Sequence, residues 1–208
     1  MSESVTQQQA PTDFVLNEFL VYSHRHTKPI DITTSIATFE IYENIEKPYL
    51  TGNVIMRDDM RFYDGVKING TEKCEITLSQ PSLDAVPTTL EFTISYVKGT
   101  IKVSDQVEML DLRIIETTAF NNMLNQFSRT YQGSPETIIK NICKDNIGQE
   151  VSLPEIKSAQ TAIKVCVPYM NAYQACNWIL SRMSTPEGLP YFLFKTIKSD
   201  KIQLKSLE

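Results

Sequence analysis

The chain has 208 residues, of which 41% are hydrophobic and 22% charged, and its formal net charge is −5. That length suits one large domain or two small ones, and the composition is that of a globular protein with a real core. The acidic balance argues against a general nucleic-acid binder, and no apolar run approaches the roughly 18 residues that a spanning helix needs.

Residues 1–13, MSESVTQQQAPTD, lack a basic start followed by an apolar stretch. They are not a secretory signal and read as a flexible polar arm. Phe14, Leu16, Phe19 and Val21 then alternate loosely, as in an edge strand or a docking arm. The segment YSHRHTKP holds the only two histidines, His24 and His26. At i, i+2 they would share a face of an extended chain and could ligate a metal, but no third ligand accompanies them, so a surface loop is expected. From Asp31, ITTSIATFEIYENI is rich in β-branched and aromatic residues and predicts a strand with Phe39, Ile41 and Ile45 on one face. Lys47-Pro48 breaks it, and YLTGNVIMRDD predicts the next strand. Asp64-Gly65 and Asn69-Gly70 are turn signals. KCEITLSQ follows with Cys74, Ile76 and Leu78 inward; PSLDAVP is a loop; LEFTISYVKG alternates cleanly. A short excursion, TIKVSDQ, leads into LDLRII, where Leu110, Leu112 and Ile114 share one face. Five or six strands in about 90 residues, with no convincing helix between them, is the pattern of an antiparallel barrel or sandwich.

The period changes at Thr117-Thr118. Phe120, Met123, Leu124 and Phe127 recur at helical spacing, predicting a helix near 118–127. A polar link, SRTYQG, precedes a second helix over 134–147, with Ser134 as N-cap, Pro135 in its first position and Gly148 as its C-terminal cap. Ile138, Ile139 and Ile142 form its buried stripe. VSLPEIKSAQ reads as a loop and TAIKVCVP as a strand. Asn171 and Gln174 make a capping box for a third helix over 171–184, with Ala172, Ala175, Cys176, Ile179, Leu180 and Met183 on one face and Trp178 beside them in a packing role. YFLFKTIKSDKIQLKSL closes the chain as a hairpin turning at Ser199-Asp200. The expected fold class is therefore α+β: an arm over 1–13, an antiparallel β-barrel over 14–117 and a small α/β domain over 118–208.

No catalytic constellation holds together, and no catalytic, cofactor-binding or metal-binding residue is assigned. There is no nucleophile elbow, phosphate-binding loop, dinucleotide fingerprint or paired-histidine zinc motif. Asp58-Asp59, with Asp64 nearby, is the densest acidic group, but neighbours on a strand point to opposite faces, and a solvated strand end is expected. Lys195, Lys198, Lys201 and Lys205 give a mild basic tendency that reads as a solvated hairpin face. Cys74, Cys143, Cys166 and Cys176 form no C-x-x-C pair and are expected to be small buried side chains kept reduced.

The order of these elements resembles the central baseplate hub protein of T4-like contractile-tailed phages, and the hub half of VgrG-type spikes. The likeness is carried by IIETTAFNNMLNQFSRTYQGSPETIIKNIC, then VPYMNAYQACNWILSRMS with Tyr173, Trp178, Ile179, Arg182 and Ser184, then YFLF, and it covers roughly Ile36 to Leu207. It implies a tail-tube-like first barrel in a non-enzymatic homotrimer that joins the six-fold tail tube to the three-fold central spike. Implied partners are sister copies, the spike protein, the tube protein and other baseplate proteins. Genomic DNA would pass through the channel without specific binding. The implied location is the virion tail baseplate, with host cytoplasm during assembly, no cofactor and no membrane insertion. In the family a second barrel follows the α/β module. Since the sequence stops at Glu208, a fragment, a barrel on another polypeptide or a shortened relative is expected. A lumen past which DNA moves should be polar to acidic, so some of Glu72, Glu75, Glu91, Glu108 and Asp111 are expected on a channel or solvent face. The alternative is a glycan- or peptide-binding barrel of a tail or secretion apparatus, using Tyr42, Tyr49, Phe62, Tyr63 and Tyr96. A tail-associated hydrolase is a third reading, for which no acid–base pair is evident.

Overall fold

The computed structural model describes residues 14–59, 61–80, 86–103 and 107–206. The expected arm over 1–13 and most of the PSLDAVP loop lie outside the described residues. The chain divides into two compact units. One takes the chain up to Phe39 together with Asn53–Ile114; the other takes Glu40–Gly52 and everything from Ile115 on.

The first unit holds β1 (Val15–Tyr22), β2 (Ile30–Asp31), the start of β3 (Ile36–Tyr42), most of β4 (Thr51–Asp58), the short helix α1 (Phe62–Val66), β5 (Lys73–Ser79), β6 (Thr88–Lys102) and most of β7 (Glu108–Glu116). The strands form one curled seven-stranded sheet in the order β2-β1-β5-β6-β7-β4-β3. Its core follows from period-two alternation. Phe19 and Val21 of β1 stand beside Ile76 and Cys74 of β5, and Cys74 beside Phe92 of β6. With Ile94, Leu110, Leu112, Val54 and Met56 they make one nearly solvent-free face. Each such side chain contributes about 1.5–3 kcal/mol by leaving water. Burial pushes the Cys74 thiol well up, with the Glu72 charge adding to it, so it behaves as an apolar filler.

Three details differ from expectation. Asp64-Gly65 makes helix α1 rather than a turn, because the Asp58 carboxylate accepts hydrogen bonds from the Phe62 N–H at 2.5 Å and the Tyr63 N–H at 3.0 Å. Strand β6, 15 residues long, extends into the expected excursion and ends at Lys102. Glu72 does not face a channel or solvent: it is 1% exposed, and its carboxylate accepts the N–H groups of Asn69, Gly70 and Thr71. Gly70 serves this turn at φ +91°, where an added Cβ would stand 3.3 Å from the Ser95 carbonyl oxygen.

The second unit contains α2 (Thr117–Leu124), β8 (Phe127–Gly133), α3 (Pro135–Ile147), β9 (Val151–Ser152), β10 (Ile163–Met170), α4 (Ala172–Leu180), β11 (Tyr191–Phe194) and β12 (Ile202–Ser206). Helix α3 starts where Ser134 Oγ accepts the Thr137 N–H and ends at Gly148, φ +75°. Helix α4 starts at the capping box, with Asn171 accepting from Gln174 N–H at 2.9 Å and Gln174 Oε1 accepting from Asn171 N–H at 3.3 Å. Their stripes, Ile138, Ile139, Ile142 and Cys143 against Ala172, Ala175, Cys176 and Ile179, form one core. At its centre the Cys143 and Cys176 sulfurs are 3.7 Å apart, and the hydrogen bond with Cys143 plus burial pushes the Cys176 thiol well up. Trp178 packs half-buried at the margin of this core.

Here too the polar-looking segments hide strands. The link SRTYQG is most of β8, antiparallel to β10. VSLPEIKSAQ opens with β9, which pairs in parallel with β12, itself antiparallel to β11. Helix α2 stops at Leu124, since Asn125 is already extended and Phe127 is taken up in β8 opposite Met170. Met123 and Leu124 are accordingly exposed. Cys166 is exposed on β10, whereas the other three thiols are buried.

One carboxylate ties distant segments of this unit together. Glu116, 7% exposed, accepts the Leu50 N–H at 3.1 Å, the Lys195 ammonium at 2.5 Å, Gln149 Nε2 at 2.9 Å and Thr118 Oγ1 at 2.9 Å. The Tyr173 hydroxyl donates to Gln149 Oε1 at 3.4 Å, and its ring stacks on Tyr49 at 5.4 Å. Burial, reinforced by the Glu116 charge, pushes the Tyr173 phenol well above its ordinary value. Replacing Lys195 with Met strands Glu116 in the interior and is expected to cost about 3–5 kcal/mol. Adding Glu116→Gln should restore part of that loss, as read by chemical denaturation.

Glu136 offers a pH test. Burial alone would raise its carboxyl, but hydrogen bonds from Ser158, whose N–H lies 2.5 Å away, and from its own backbone and Ser134 outweigh that and hold it below the usual range. A carboxyl lowered on folding stabilises above its unfolded pKa, about 4.3, and that contribution is lost as the pH falls through its folded value. Glu136→Gln should be about 1–3 kcal/mol less stable than the parent at pH 7. The gap should close in acid, as followed by thermal melts across pH.

Candidate functional site

A sheet border presents unpaired N–H and C=O groups, and proteins usually blunt it with short strands, lysine or proline. The order of the large sheet leaves β2 and β3 with one neighbour each among the described residues. The β2 border is guarded: two residues long, it follows Lys28-Pro29 directly. The β3 border is not. IATFEIY is seven residues long, with no proline and one charge, Glu40, whose carboxylate accepts the Tyr42 hydroxyl. Its alternation leaves Ile36, Phe39 and Ile41 half-buried and Ala37, Thr38 and Tyr42 exposed. This is a long pairing edge with no device against pairing.

The face of the sheet opposite the core is acidic at one place. Register sets Glu75 of β5 directly opposite Glu91 of β6, with Leu20 of β1 on the other side of Glu75 and Glu18 two residues along β1, opposite Thr77. Tyr22 donates its hydroxyl to Glu75 at 2.7 Å. That bond, with burial and the charges of Glu75, Glu18 and Glu91, raises the Tyr22 phenol above its ordinary value. Like charges directly across a strand pair are destabilising, so this strip works against folding. Of the other carboxylates expected on a channel or solvent face, Glu108 is exposed, while Asp111 is half-buried and pairs with Lys98 at 3.1 Å. Beyond Ser95, β6 carries Tyr96 and Ile101 outward, and Val103 closes the strand's far end by donating to the Val107 carbonyl.

The residues weighed from sequence scatter. His24 and His26 are exposed in the segment between β1 and β2. Among the described residues, no three His, Cys, Asp or Glu side chains gather as a metal site would require. Asp58 caps α1, and Asp59 pairs with Arg57 at 3.7 Å on the surface. The five aromatic residues of the ligand-binding alternative are divided. Phe62 is buried, Tyr49 stacks on Tyr173 in the second unit, and Tyr42, Tyr63 and Tyr96 are exposed. Sequence reading missed the Glu75–Glu91 pairing, because register is set by strands far apart in the chain.

No family model matches the chain, and no curated protein matches it. Solved structures share its fold. A tail protein from Neisseria meningitidis MC58 is 13% identical with a TM-score of 0.50, covering 89% of this chain and 50% of that one. The 43 kDa tail protein of prophage MuSo2 from Shewanella oneidensis is 9% identical with a TM-score of 0.52, covering 90% and 54%. A prophage tail protein from Listeria monocytogenes EGD-e is 10% identical with a TM-score of 0.51, covering 90% and 50%. The chain thus spans about half the length of these structures, and the likeness is one of fold: α+β, mostly antiparallel, as the sequence pattern implied.

Glu91→Gln removes one member of the opposed pair. It should raise stability by roughly 0.2–1 kcal/mol, less at high salt, as measured by urea denaturation at two ionic strengths.

Proposed function

We propose that this chain is a structural part of a phage tail, working at the baseplate as a hub or adaptor between the six-fold tail tube and the three-fold central spike. The observation that carries the proposal is the open β3 border on a sheet whose fold recurs in three tail proteins. In this reading copies of the chain complete each other's sheets: β3 of one copy pairs with the far border of the next, where β2 covers only Leu20 and Val21 of β1. Backbone hydrogen bonds and half-buried Ile36, Phe39 and Ile41 then close a ring. A homotrimer is the proposed closed form, with the spike, tube and other baseplate proteins as neighbours, in the virion tail. The role is mechanical rather than enzymatic. The strip of Glu18, Glu75 and Glu91 suits a wall past which DNA slides, since it repels phosphates. Its cost in stability supports a role outside folding.

The test is electron microscopy and sedimentation of the full chain, alone and co-expressed with the tube and spike proteins of its own tail. Rings are expected, and a proline scan over Ala37, Thr38 and Phe39 should abolish them where it removes an outward N–H, leaving the monomer folded. Monomers only, even beside those partners, would overturn the proposal.

A further inference from the structure

Strand β10 pairs with β8 alone among the described residues. A groove of about 460 Å³ runs along it, and four consecutive residues, Ile163, Lys164, Val165 and Cys166, line that groove. A hollow on a sheet's face touches every second side chain; one that meets four in succession follows the strand's edge. Alternate N–H and C=O groups of β10 therefore point into it. The opposite wall is α4 and the turn after it: Trp178, Ile179 and Met183 supply an apolar surface, and the Arg182 guanidinium lies 4.6 Å over the Trp178 ring. Gln160 also lines the groove, and its Nε2 donates to the Arg182 carbonyl.

We infer that this groove takes an extended acidic peptide segment of a partner protein, added as a third strand beside β10 and under Trp178. Strand addition satisfies the free edge of β10. Charge selects the occupant. Lys164 is exposed and has no carboxylate partner among the described residues. Arg182 donates from Nη1 to the Trp178 carbonyl and Ser181 Oγ and pairs with no carboxylate among the described residues. Two uncompensated cations beside an apolar floor favour a strand that alternates small apolar side chains with Asp or Glu. Four residues of β10 cover about 13 Å, enough to hold two apolar anchors on one face of such a strand. The inference is independent of the tail reading, since it uses only the groove.

The probe is a short capped peptide alternating Glu and Val, with its Lys–Val counterpart and a backbone N-methylated Glu–Val peptide as controls, all offered to the full chain. Expected are slowed amide exchange at Ile163–Cys166, a change in fluorescence of Trp178, the lone tryptophan, and no binding of the N-methylated peptide. The Lys–Val peptide should bind at least about tenfold more weakly, and the K164E/R182E variant should invert that order. Equal affinity for the two charged peptides, or protection at Ile36–Tyr42 in place of Ile163–Cys166, would overturn the assignment, as would no binding of the Glu–Val peptide.

Discussion

The second unit depends on a carboxylate that water scarcely reaches. Glu116 holds a backbone N–H from residue 50, a hydroxyl from residue 118, an amide from residue 149 and an ammonium from residue 195. Two of these partners lie more than sixty residues away in sequence, and no apolar contact could position them so specifically. A buried ion pair adds little net stability, because desolvation offsets most of the attraction. What it enforces is arrangement: any other packing would leave a charge without partners. Tyr173, tied in through Gln149 and stacked on Tyr49, extends the same constraint into the helical core.

The first unit is organised differently. Its interior is mostly apolar, with Ser23 and Thr93 also buried, and two buried carboxylates serve as backbone clasps, Asp58 for α1 and Glu72 for the turn at Gly70. Each satisfies N–H groups that the sheet does not pair, which makes acidic side chains structural parts in an acidic protein. On the sheet's outer face Glu75 instead accepts the Tyr22 hydroxyl. Glu75 and Glu91 oppose each other across a strand pair, and the β3 border is long and unblunted. Neither feature is required by the apolar packing of the sheet's inner face.

The helix starts and inner strand faces of this protein were written locally. Ser134-Pro135, the Asn171–Gln174 box and Gly148 mark helix ends through bonds that span only a few residues, so their spelling suffices. The same holds for Leu110, Leu112 and Ile114, whose period of two survives any register. Local pattern failed where a strand gains its identity from a neighbour. SRTYQG is polar to the eye, with Tyr131 as its one buried residue, and becomes β8 only beside β10. Phe127 fits a helical spacing with Phe120 and Met123, yet pairing with Met170 claims it for the sheet.

The amino-acid order by itself determined the class of fold, the change from strand to helix periodicity near Glu116, and the absence of any recognisable catalytic motif. Only the tertiary structure decided which borders stay open, which glutamates face each other and which one is buried as a hub of hydrogen bonds. The reason is that apolar periodicity and capping act over a few residues, whereas register, edge status and charge partnership are properties of segments brought together from across the chain.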